Sequence, residues 1–223
     1  MEVVIVLGGP NTKENIKTLL ENRYGKAYED FLFVGVDGGA LRLLDQHLPM
    51  EVAIGDFDSV TKEQRDLIHG AANTIVQLPS EKDDTDFEAA LLWVKEHYEG
   101  VPIHVLGSFG GRVDHAISTL WTMMRPDLAP LIPYVVFEDA TNVVNFIQPG
   151  TYTIEKMDFT KYLSFISMTP VENVTLQNVK YTLDSKSYAY PVALVSNEFT
   201  SDKMTISFTK GLILVAQTRD HWR

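Results

Sequence analysis

The 223-residue sequence has no cysteine, no long hydrophobic run and few basic residues. Without cysteine it cannot form disulfides or zinc–thiolate sites. No apolar stretch approaches the roughly 18 residues that a membrane-spanning helix requires. Lys and Arg number 19 against 30 Asp and Glu, so the formal net charge is −11. This charge argues against surfaces that bind nucleic acid or anionic membranes.

Several common catalytic motifs are also missing. The sequence contains no G-x-x-x-x-G-K-[ST] P-loop, no G-x-G-x-x-G after its first apolar run and no G-x-S-x-G nucleophile elbow. Its six histidines show no zinc-binding spacing. A bound nucleotide would therefore need another arrangement. The N-terminal residues lack the basic region of a signal peptide, so a cytoplasmic location is expected.

Residues 1 to about 136 alternate between apolar runs and helical patterns, which predicts a parallel sheet covered on both faces. Helix starts are expected at Asn11 or Thr12, and at capping boxes in which Thr61 pairs with Gln64 and Thr85 with Glu88. A further helix is predicted over residues 115–124. The strands are expected at residues 3–7, 31–36, 52–54, 74–78, 103–106 and 134–136.

After about residue 140, short alternating segments between turn residues predict an antiparallel β-sandwich or partial barrel. Lys210-Gly211 is interpreted as a tight hairpin turn between the last two strands. We therefore predict a Rossmann-like α/β domain with a parallel sheet, residues 1–138, followed by an antiparallel β-sandwich domain, residues 139–223. The sandwich strands are expected at residues 151–155, 162–168, 174–179, 192–195, 204–208 and 212–215.

Three polar blocks follow apolar runs of the N-terminal part: residues 55–59 (GDFDS), 82–86 (KDDTD) and 107–115 (GSFGGRVDH). Such loops lie at the carboxyl ends of parallel strands, where open α/β sheets bind ligands. Several carboxylates gathered with a few cations suit Mg²⁺ bound to a polyphosphate. The blocks therefore predict one shared binding crevice.

In the first block, the spacing of Asp56 and Asp58 can aim both carboxylates at one cation. Alternatively, Asp58 or Ser59 simply caps the following helix. In the second block, Asp86 is a candidate metal ligand and Lys82 a candidate phosphate ligand. The two acids between them are interpreted as ordinary residues of a first helical turn, which the macrodipole favours.

In the third block, the glycines let backbone amides approach a phosphate, and Arg112 offers a planar fork to phosphate oxygens. Asp114 opens the next helix and is a candidate metal ligand, whereas His115 either acts directly or only packs or caps. Asp37 ends the second strand. It is a candidate contact for metal, nucleotide or acceptor alcohol, or else a turn carboxylate bonded to backbone amides.

In this order, the blocks resemble those of the thiamin pyrophosphokinase family. The matching segments are residues 37–39 (DGG), 55–59, 82–86, 110–115 (GGRVDH) and 196–199 (SNEF). The resemblance implies an ATP-binding α/β domain, a thiamine-binding β-sandwich, and Mg²⁺-dependent transfer of diphosphate from ATP to the hydroxyethyl group of thiamine, which leaves AMP. It also implies a homodimer, with each active site between the first domain of one subunit and the second domain of the other.

The resemblance further implies roles for individual residues. Asp37 or Asp56 would accept the alcohol proton, and the choice between them stays open. Trp222 offers a further aromatic for stacking on thiamine. Metal would be held by Asp56, Asp58, Asp86 and Asp114. ATP would be bound by Ser59, Lys82, Gly110, Gly111 and Arg112. Catalysis would use Asp37, Asp56 and Arg112. Thiamine would be bound by Ser196, Asn197 and Phe199.

Two other classes of function remain open from the residues alone. Residues 56–60 satisfy the D-x-D-x-[TV] pattern of haloacid-dehalogenase-like phosphatases, in which Asp56 would be the nucleophile and Asp58 the general acid. The pattern follows the third predicted strand, however, whereas that family usually places it after the first. A non-catalytic carrier of thiamine or nucleotide is the second alternative.

Overall fold

The apolar runs of the N-terminal part form a sheet in which neighbouring strands pair in parallel. The computed structural model describes residues 1–9 and 15–220, and the strand order in this part is β6-β5-β1-β2-β3-β4. Every residue of β1 and β5 is buried, as expected when both faces of a parallel sheet are covered. The strands are β1 (Val3–Val6), β2 (Leu32–Val36), β3 (Met50–Gly55), β4 (Ala72–Gln77), β5 (Ile103–Leu106) and β6 (Val135–Glu138).

Two helices of this part begin where the sequence signals place them, whereas α2 was not predicted and α5 begins two residues before the predicted start. Both predicted capping boxes are present, at Thr61 and at Thr85. Asn11 and Thr12 lie outside the described residues, and the first helix is capped by Asn15, whose side chain accepts from the Lys17 amide at 2.9 Å. The helices are α1 (Ile16–Tyr24), α2 (Gly38–Asp45), α3 (Lys62–Ala71), α4 (Asp86–His97) and α5 (Val113–Trp121). The last predicted helical residues, Thr122–Met124, form a 3₁₀ turn, as do Gly25–Asp30 and Pro126–Leu131.

The C-terminal part consists of two antiparallel sheets that share a hydrophobic core. Their strand orders are β12-β9-β14-β7 and β11-β10-β13-β8. Phe165 and Val215 of one sheet and Val174 and Ile206 of the other belong to the same buried cluster, so the β-sandwich prediction is confirmed. The strands are β7 (Asn142–Ile147), β8 (Gly150–Glu155), β9 (Tyr162–Ser167), β10 (Val171–Gln177), β11 (Leu183–Tyr188), β12 (Ala193–Asn197), β13 (Lys203–Phe208) and β14 (Ile213–Thr218).

The predicted hairpin at Lys210-Gly211 is wrong. β13 pairs with β10 and β8, whereas β14 pairs with β7 and β9, so this turn carries the chain from one sheet to the other. Gly211 has φ +103°, and a Cβ there would lie 2.5 Å from the Pro170 carbonyl oxygen. The glycine therefore permits a close crossing of backbones, which a sequence pattern does not distinguish from a hairpin turn.

The chain divides into a first unit, residues 1–140, and a second unit, residues 141–223, whereas the sequence placed the boundary after residue 138. None of the helices in the described residues combines the length and apolar character that crossing a membrane requires.

Candidate active site

Polar loops of the first unit follow the carboxyl ends of neighbouring strands. β2 leads into Asp37, and β3 leads into Asp56 and Asp58. Because β2 and β3 pair in parallel, with Val36 opposite Ile54, these loops leave the same edge of the sheet side by side. The topology therefore brings together acids that are about 20 residues apart in the sequence.

Asp37, Asp56 and Asp58 form the acidic cluster of this site. One carboxylate oxygen of each lies within 4.8 Å of the others, and within the described residues this is the group of His, Asp and Glu side chains that could hold a metal ion. Asp37 and Asp56 are half-buried and Asp58 is exposed. An all-oxygen set of carboxylates is the chemistry that Mg²⁺ prefers, so these residues fit the ion that the resemblance implied.

The backbone of the first polar block is fixed by a buried aromatic side chain. Phe57 has φ +55°, an unfavourable conformation for a bulky residue, and its side chain is completely buried. The Arg65 guanidinium donates to the Phe57 carbonyl at 2.7 Å, and the Asp58 amide donates to Asp56 Oδ1 at 3.1 Å. The buried Phe57 side chain and the hydrogen bond from Arg65 thus fix the loop, and Asp56 and Asp58 flank Phe57 in the sequence.

Asp37 also occupies a sparsely populated backbone conformation, with φ +48° and ψ −120°. Its amide donates to the Ile54 carbonyl at 2.9 Å, and Ser59 Oγ donates to Asp37 Oδ2 at 2.8 Å. Asp37 Oδ1 is buried and has no hydrogen-bond partner among the described residues. A Cβ on Gly55 would lie 3.2 Å from the Asp37 Cα, so the glycine allows this close approach. Strained residues of this kind concentrate at functional sites.

Lys82 joins the acidic cluster to the second polar block. Its Nζ lies 3.3 Å from Asp56 Oδ2 and 2.9 Å from Asp86 Oδ1, and the latter contact is an ion pair without good hydrogen-bond alignment. Asp86 is the first residue of α4, directly after the Thr85 cap. Lys82 therefore bridges two loops that follow different strands.

The pKa values of these groups reflect burial and mutual charge. Burial alone would raise the pKa of Asp56, but the Asp58 amide and the Lys82 ammonium lower it below its ordinary value. Burial raises the pKa of Asp86, whereas Lys82 lowers it. The charges of Asp56 and Asp37 also raise it, and the net result is a raised pKa. Burial would lower the pKa of Lys82, but the two carboxylates raise it, so the ammonium form is favoured.

The third polar block behaves differently from the first two. Gly110 and Gly111 have φ +89° and +67°, which lets the loop turn sharply before α5. Arg112 occupies the N-cap position of α5 without a capping hydrogen bond from its side chain, and it forms a bidentate pair with Asp114, at 3.2 and 2.6 Å. This exposed pair lowers the pKa of Asp114 to about 2, chiefly through the hydrogen bonds from Arg112. The structure thus places Asp114 with Arg112 and not in the acidic cluster.

A cavity of about 440 Å³ lies between these loops. Sequence reasoning assigned roles to several of its lining residues, but it gave none to Ser108, Ser118 or Thr119, which also line it. Position in the Gly-rich block was the only signal for Ser108. The assigned residues that line the cavity are Asp37, Ser59, Asp86, Gly110, Arg112 and His115.

Arg42 is a further cation near this site that the sequence analysis missed. Its Nη1 is buried without a hydrogen-bond partner among the described residues, and burial lowers the pKa of the guanidinium. A Cβ on Gly107 would lie 3.2 Å from that atom, so Arg42 lies behind the Gly-rich loop. Its place on the amphipathic α2, between apolar residues, gave no functional signal.

The residues expected to bind thiamine lie in the second unit. Asn197 is 3% exposed and uses its side chain on backbone groups: Nδ2 donates to the Tyr181 carbonyl, and Oδ1 accepts from the amides of Tyr181 and Glu198, each at 2.9 Å. Ser196 is exposed, with φ +59°. Phe199 packs against the sandwich core. Trp222 lies outside the described residues. The Asn197 side chain therefore holds the backbone around Ser196 and Glu198 against Tyr181.

Known proteins resemble the chain over nearly its whole length. A family model described as thiamin pyrophosphokinase, catalytic domain, matches residues 27–133, and one described as thiamin pyrophosphokinase, vitamin B1 binding domain, matches residues 151–213. The curated thiamine pyrophosphokinase of Bacillus subtilis is 33% identical over 218 residues, which cover 97% of this chain and 98% of that protein.

Solved structures agree with this similarity. A thiamin pyrophosphokinase family protein from Enterococcus faecalis has 34% sequence identity and a TM-score of 0.87, covering 99% of this chain and 100% of that chain. The thiamine pyrophosphokinase of Bacillus subtilis has 31% identity and a TM-score of 0.81, with coverage of 99% and 100%.

Proposed function

Because the chain belongs to the thiamin pyrophosphokinase family, we propose that its acidic cluster binds the Mg²⁺ that accompanies ATP. The chain is a thiamine diphosphokinase, which transfers the diphosphate of ATP to the hydroxyethyl oxygen of thiamine and leaves AMP. The observation that carries the proposal is the convergence of Asp37, Asp56 and Asp58 within 4.8 Å. When bound, Mg²⁺ would neutralise charge on the polyphosphate as transfer proceeds.

Other predicted site residues are proposed to orient the polyphosphate. Lys82 places a positive charge beside the acidic cluster through its ion pair with Asp56. Arg112 lines the cavity at the start of α5. The predicted ATP-binding set is completed by Ser59, Gly110 and Gly111, and the positive end of the helix favours an anion there. Metal ligation by Asp86 and Asp114 stays a prediction, since neither belongs to the acidic cluster.

We propose Asp37 as the group that accepts the alcohol proton. The hydroxyl oxygen of thiamine would form a bond to the β-phosphorus while the bond from that phosphorus to the AMP oxygen breaks, and its proton would pass to a carboxylate. Asp56 already accepts from the Asp58 amide and Lys82, and its pKa is lowered, which makes it a weaker base than an ordinary aspartate. Asp37 Oδ1 is buried and has no partner among the described residues, so it can receive the proton.

We propose that the second unit supplies the thiamine site, through Ser196 and Phe199, with Asn197 holding their segment in shape. The support is the match of residues 151–213 to the vitamin B1 binding domain, together with the hydrogen bonds of Asn197 to the backbone of Tyr181. The cytoplasmic location expected from the sequence stays a prediction.

We further propose that the enzyme is a homodimer in which a second copy covers α5. Val113, Ile117 and Trp121 recur every four residues along this helix, and they are 72%, 49% and 56% exposed. These three side chains form the α5 stripe, which runs along the same helix as the cavity-lining His115 and Thr119. An exposed apolar stripe next to a binding site is typical of a protein interface.

The alternatives from the sequence are not favoured. A phosphatase with Asp56 as nucleophile leaves the second unit unexplained, and the D-x-D pattern follows β3 here. A carrier of thiamine does not account for the match to a catalytic domain over residues 27–133.

Phosphorus NMR of the purified protein with ATP, Mg²⁺ and thiamine tests the proposed reaction, with thiamine omitted as the control. We expect AMP and thiamine diphosphate to appear together and only when thiamine is present. ADP with thiamine monophosphate would show attack on the γ-phosphorus. Inorganic phosphate formed without thiamine would favour a phosphatase, and no turnover would favour a carrier.

A further inference from the structure

Ser108 carries a buried hydroxyl that nothing else in the described chain satisfies. The residue is 6% exposed, and its Oγ has no hydrogen-bond partner among the described residues. Ser108 lies in the Gly-rich loop between β5 and α5, and it lines the cavity of the first unit. A residue of the cavity wall therefore carries a buried hydroxyl without a partner among the described residues.

Among the described residues, the other buried hydroxyls have partners. Thr119 Oγ1 donates to the His115 carbonyl at 2.8 Å, and Thr122 Oγ1 donates to the Ser118 carbonyl at 3.0 Å. A buried hydroxyl without a partner destabilises the folded state, whereas alanine at the same position would carry no such cost. The fold alone therefore gives no reason for a serine at position 108.

The surroundings of Ser108 favour an anion as the missing partner. Gly107 and Gly110, on either side of it, have positive φ angles, and the loop ends at the N-terminus of α5, where Arg112 is the cap. A Cβ on Gly9 would lie 2.1 Å from the Gly107 carbonyl oxygen, so the loop after β1 packs tightly against this one. The helix end favours negative charge, and Arg112, which is paired with Asp114 here, adds a cation at the same place.

We propose that the Ser108 hydroxyl donates a hydrogen bond to a phosphate oxygen of bound ATP. The inference rests on the proposed function of the cavity, and it adds a binding residue outside the acidic cluster. A hydrogen bond to a charged oxygen is stronger than one between neutral groups, so the contact contributes to nucleotide affinity.

Isothermal titration of Ser108→Ala tests this assignment, with ATP and with inorganic tripolyphosphate as ligands, both in the presence of Mg²⁺. We expect the Kd of both ligands to rise about tenfold relative to the parent protein. The melting temperature without ligand should be unchanged or higher, because the variant removes an unsatisfied buried group.

Ser167→Ala is the matched control, since Ser167 is also a buried serine but its Oγ accepts from the Val192 amide at 2.8 Å. This variant should melt at a lower temperature and bind ATP normally. An unchanged ATP affinity in Ser108→Ala would overturn the proposal, as would a lower melting temperature of that variant. A weaker affinity for ATP with an unchanged affinity for tripolyphosphate would overturn the phosphate contact. Failure of the parent protein to bind ATP would overturn the proposed function as well.

Discussion

Asp37 combines a strained backbone, a buried carboxylate oxygen and a hydrogen bond from Ser59, so we expect it to be the most sensitive of the acids. Asp37→Asn keeps the shape of the side chain but removes the proton acceptor and one metal-binding charge. We predict a fall in kcat on the order of 10² to 10⁴. Steady-state kinetics at saturating ATP, thiamine and Mg²⁺ measure this effect.

Asp45→Asn provides the matched control, because Asp45 is an exposed acid at the other end of the same helix, α2. It should retain the kcat of the parent enzyme. Near-normal turnover of Asp37→Asn would contradict the role of Asp37 as base and would favour Asp56 in that role.

Lys82 determines how readily two carboxyls of the site ionise. Lys82→Gln removes the ammonium that lowers the pKa of Asp56 and opposes the rise in the pKa of Asp86. Both carboxyls should then lose their protons only at higher pH. We predict that the acid limb of the kcat/KM profile moves to higher pH in this variant. Lys62→Gln, at an exposed position of α3, should leave the profile unchanged, and an unmoved acid limb in Lys82→Gln would contradict the coupling.

At the scale of the element, the capping box of α4 couples stability to the position of Asp86. The Thr85 hydroxyl accepts from the Glu88 amide at 3.2 Å, and Glu88 accepts from the Thr85 amide at 2.8 Å. Thr85→Ala should lower the free energy of unfolding by about 1 kcal/mol. It should also lower kcat/KM, because loss of the cap lets the first turn of α4 fray, and Asp86 is the first residue of that turn.

Urea denaturation and kinetics of the same preparations check this prediction. Thr85→Ser keeps the capping hydroxyl and should restore both quantities most of the way. If Thr85→Ala loses stability without any change in kcat/KM, the position of Asp86 does not depend on the cap.

The elements that could be predicted from the sequence are those with a strong local signal. Continuous apolar runs identified β1 to β6, and the pairs Thr61–Gln64 and Thr85–Glu88 identified two helix starts. β11 was missed because its residues, Leu183–Tyr188, are mostly polar and exposed and show no alternation. β7 (Asn142–Ile147) was missed because it begins soon after the predicted domain boundary at residue 138, before the first strand expected in the sandwich.

The site was predictable as a set of loops but not as a geometry. The polar blocks showed which residues follow strands, yet the grouping of Asp37 with Asp56 and Asp58 depends on β2 and β3 being neighbours. The pairing of Arg112 with Asp114 is a local contact that spacing alone does not distinguish from metal ligation. The unsatisfied hydroxyl of Ser108 has no sequence signature, because a missing partner is a property of the folded surroundings.

At the scale of the whole molecule, a buried polar network in the first unit makes stability depend on pH. His104 contacts Tyr24 Oη at 2.9 Å, Glu138 at 3.0 Å and Glu2 at 2.6 Å, and Arg23 pairs with Glu138 at 3.3 Å. Burial would lower the pKa of His104, but the hydrogen bonds and charges of Glu138 and Glu2 outweigh it and raise the pKa.

Because the folded state binds the His104 proton more tightly than the unfolded chain, its stabilisation is complete below the unfolded pKa. It is lost as pH rises through the raised folded pKa. We predict a melting temperature that falls as the pH is raised above the ordinary pKa of histidine and through the raised folded pKa of His104. His104→Gln should melt at a lower temperature and lose this part of the pH dependence. A parallel pH profile in the variant would contradict the assignment.

The proposed homodimer can be tested through the α5 stripe. Ile117→Asp places a charge at the centre of the stripe, which should prevent a second copy from covering it. We predict that the parent sediments as a dimer and the variant as a monomer. Leu67→Asp is the control, because Leu67 is an exposed apolar residue of α3, 64% accessible and outside the stripe. A dimeric Ile117→Asp would place the interface elsewhere.

The affinity of the acidic cluster for a divalent cation tests the proposed metal site most directly. Mn²⁺ binding followed by electron paramagnetic resonance, with Mg²⁺ as competitor, measures it without relying on turnover. We predict that Asp58→Asn raises the Kd at least about tenfold, since one of three converging carboxylates is lost. Asp45→Asn should bind as the parent does. Equal affinity of the parent and Asp58→Asn would contradict the claim that Asp37, Asp56 and Asp58 form one metal site.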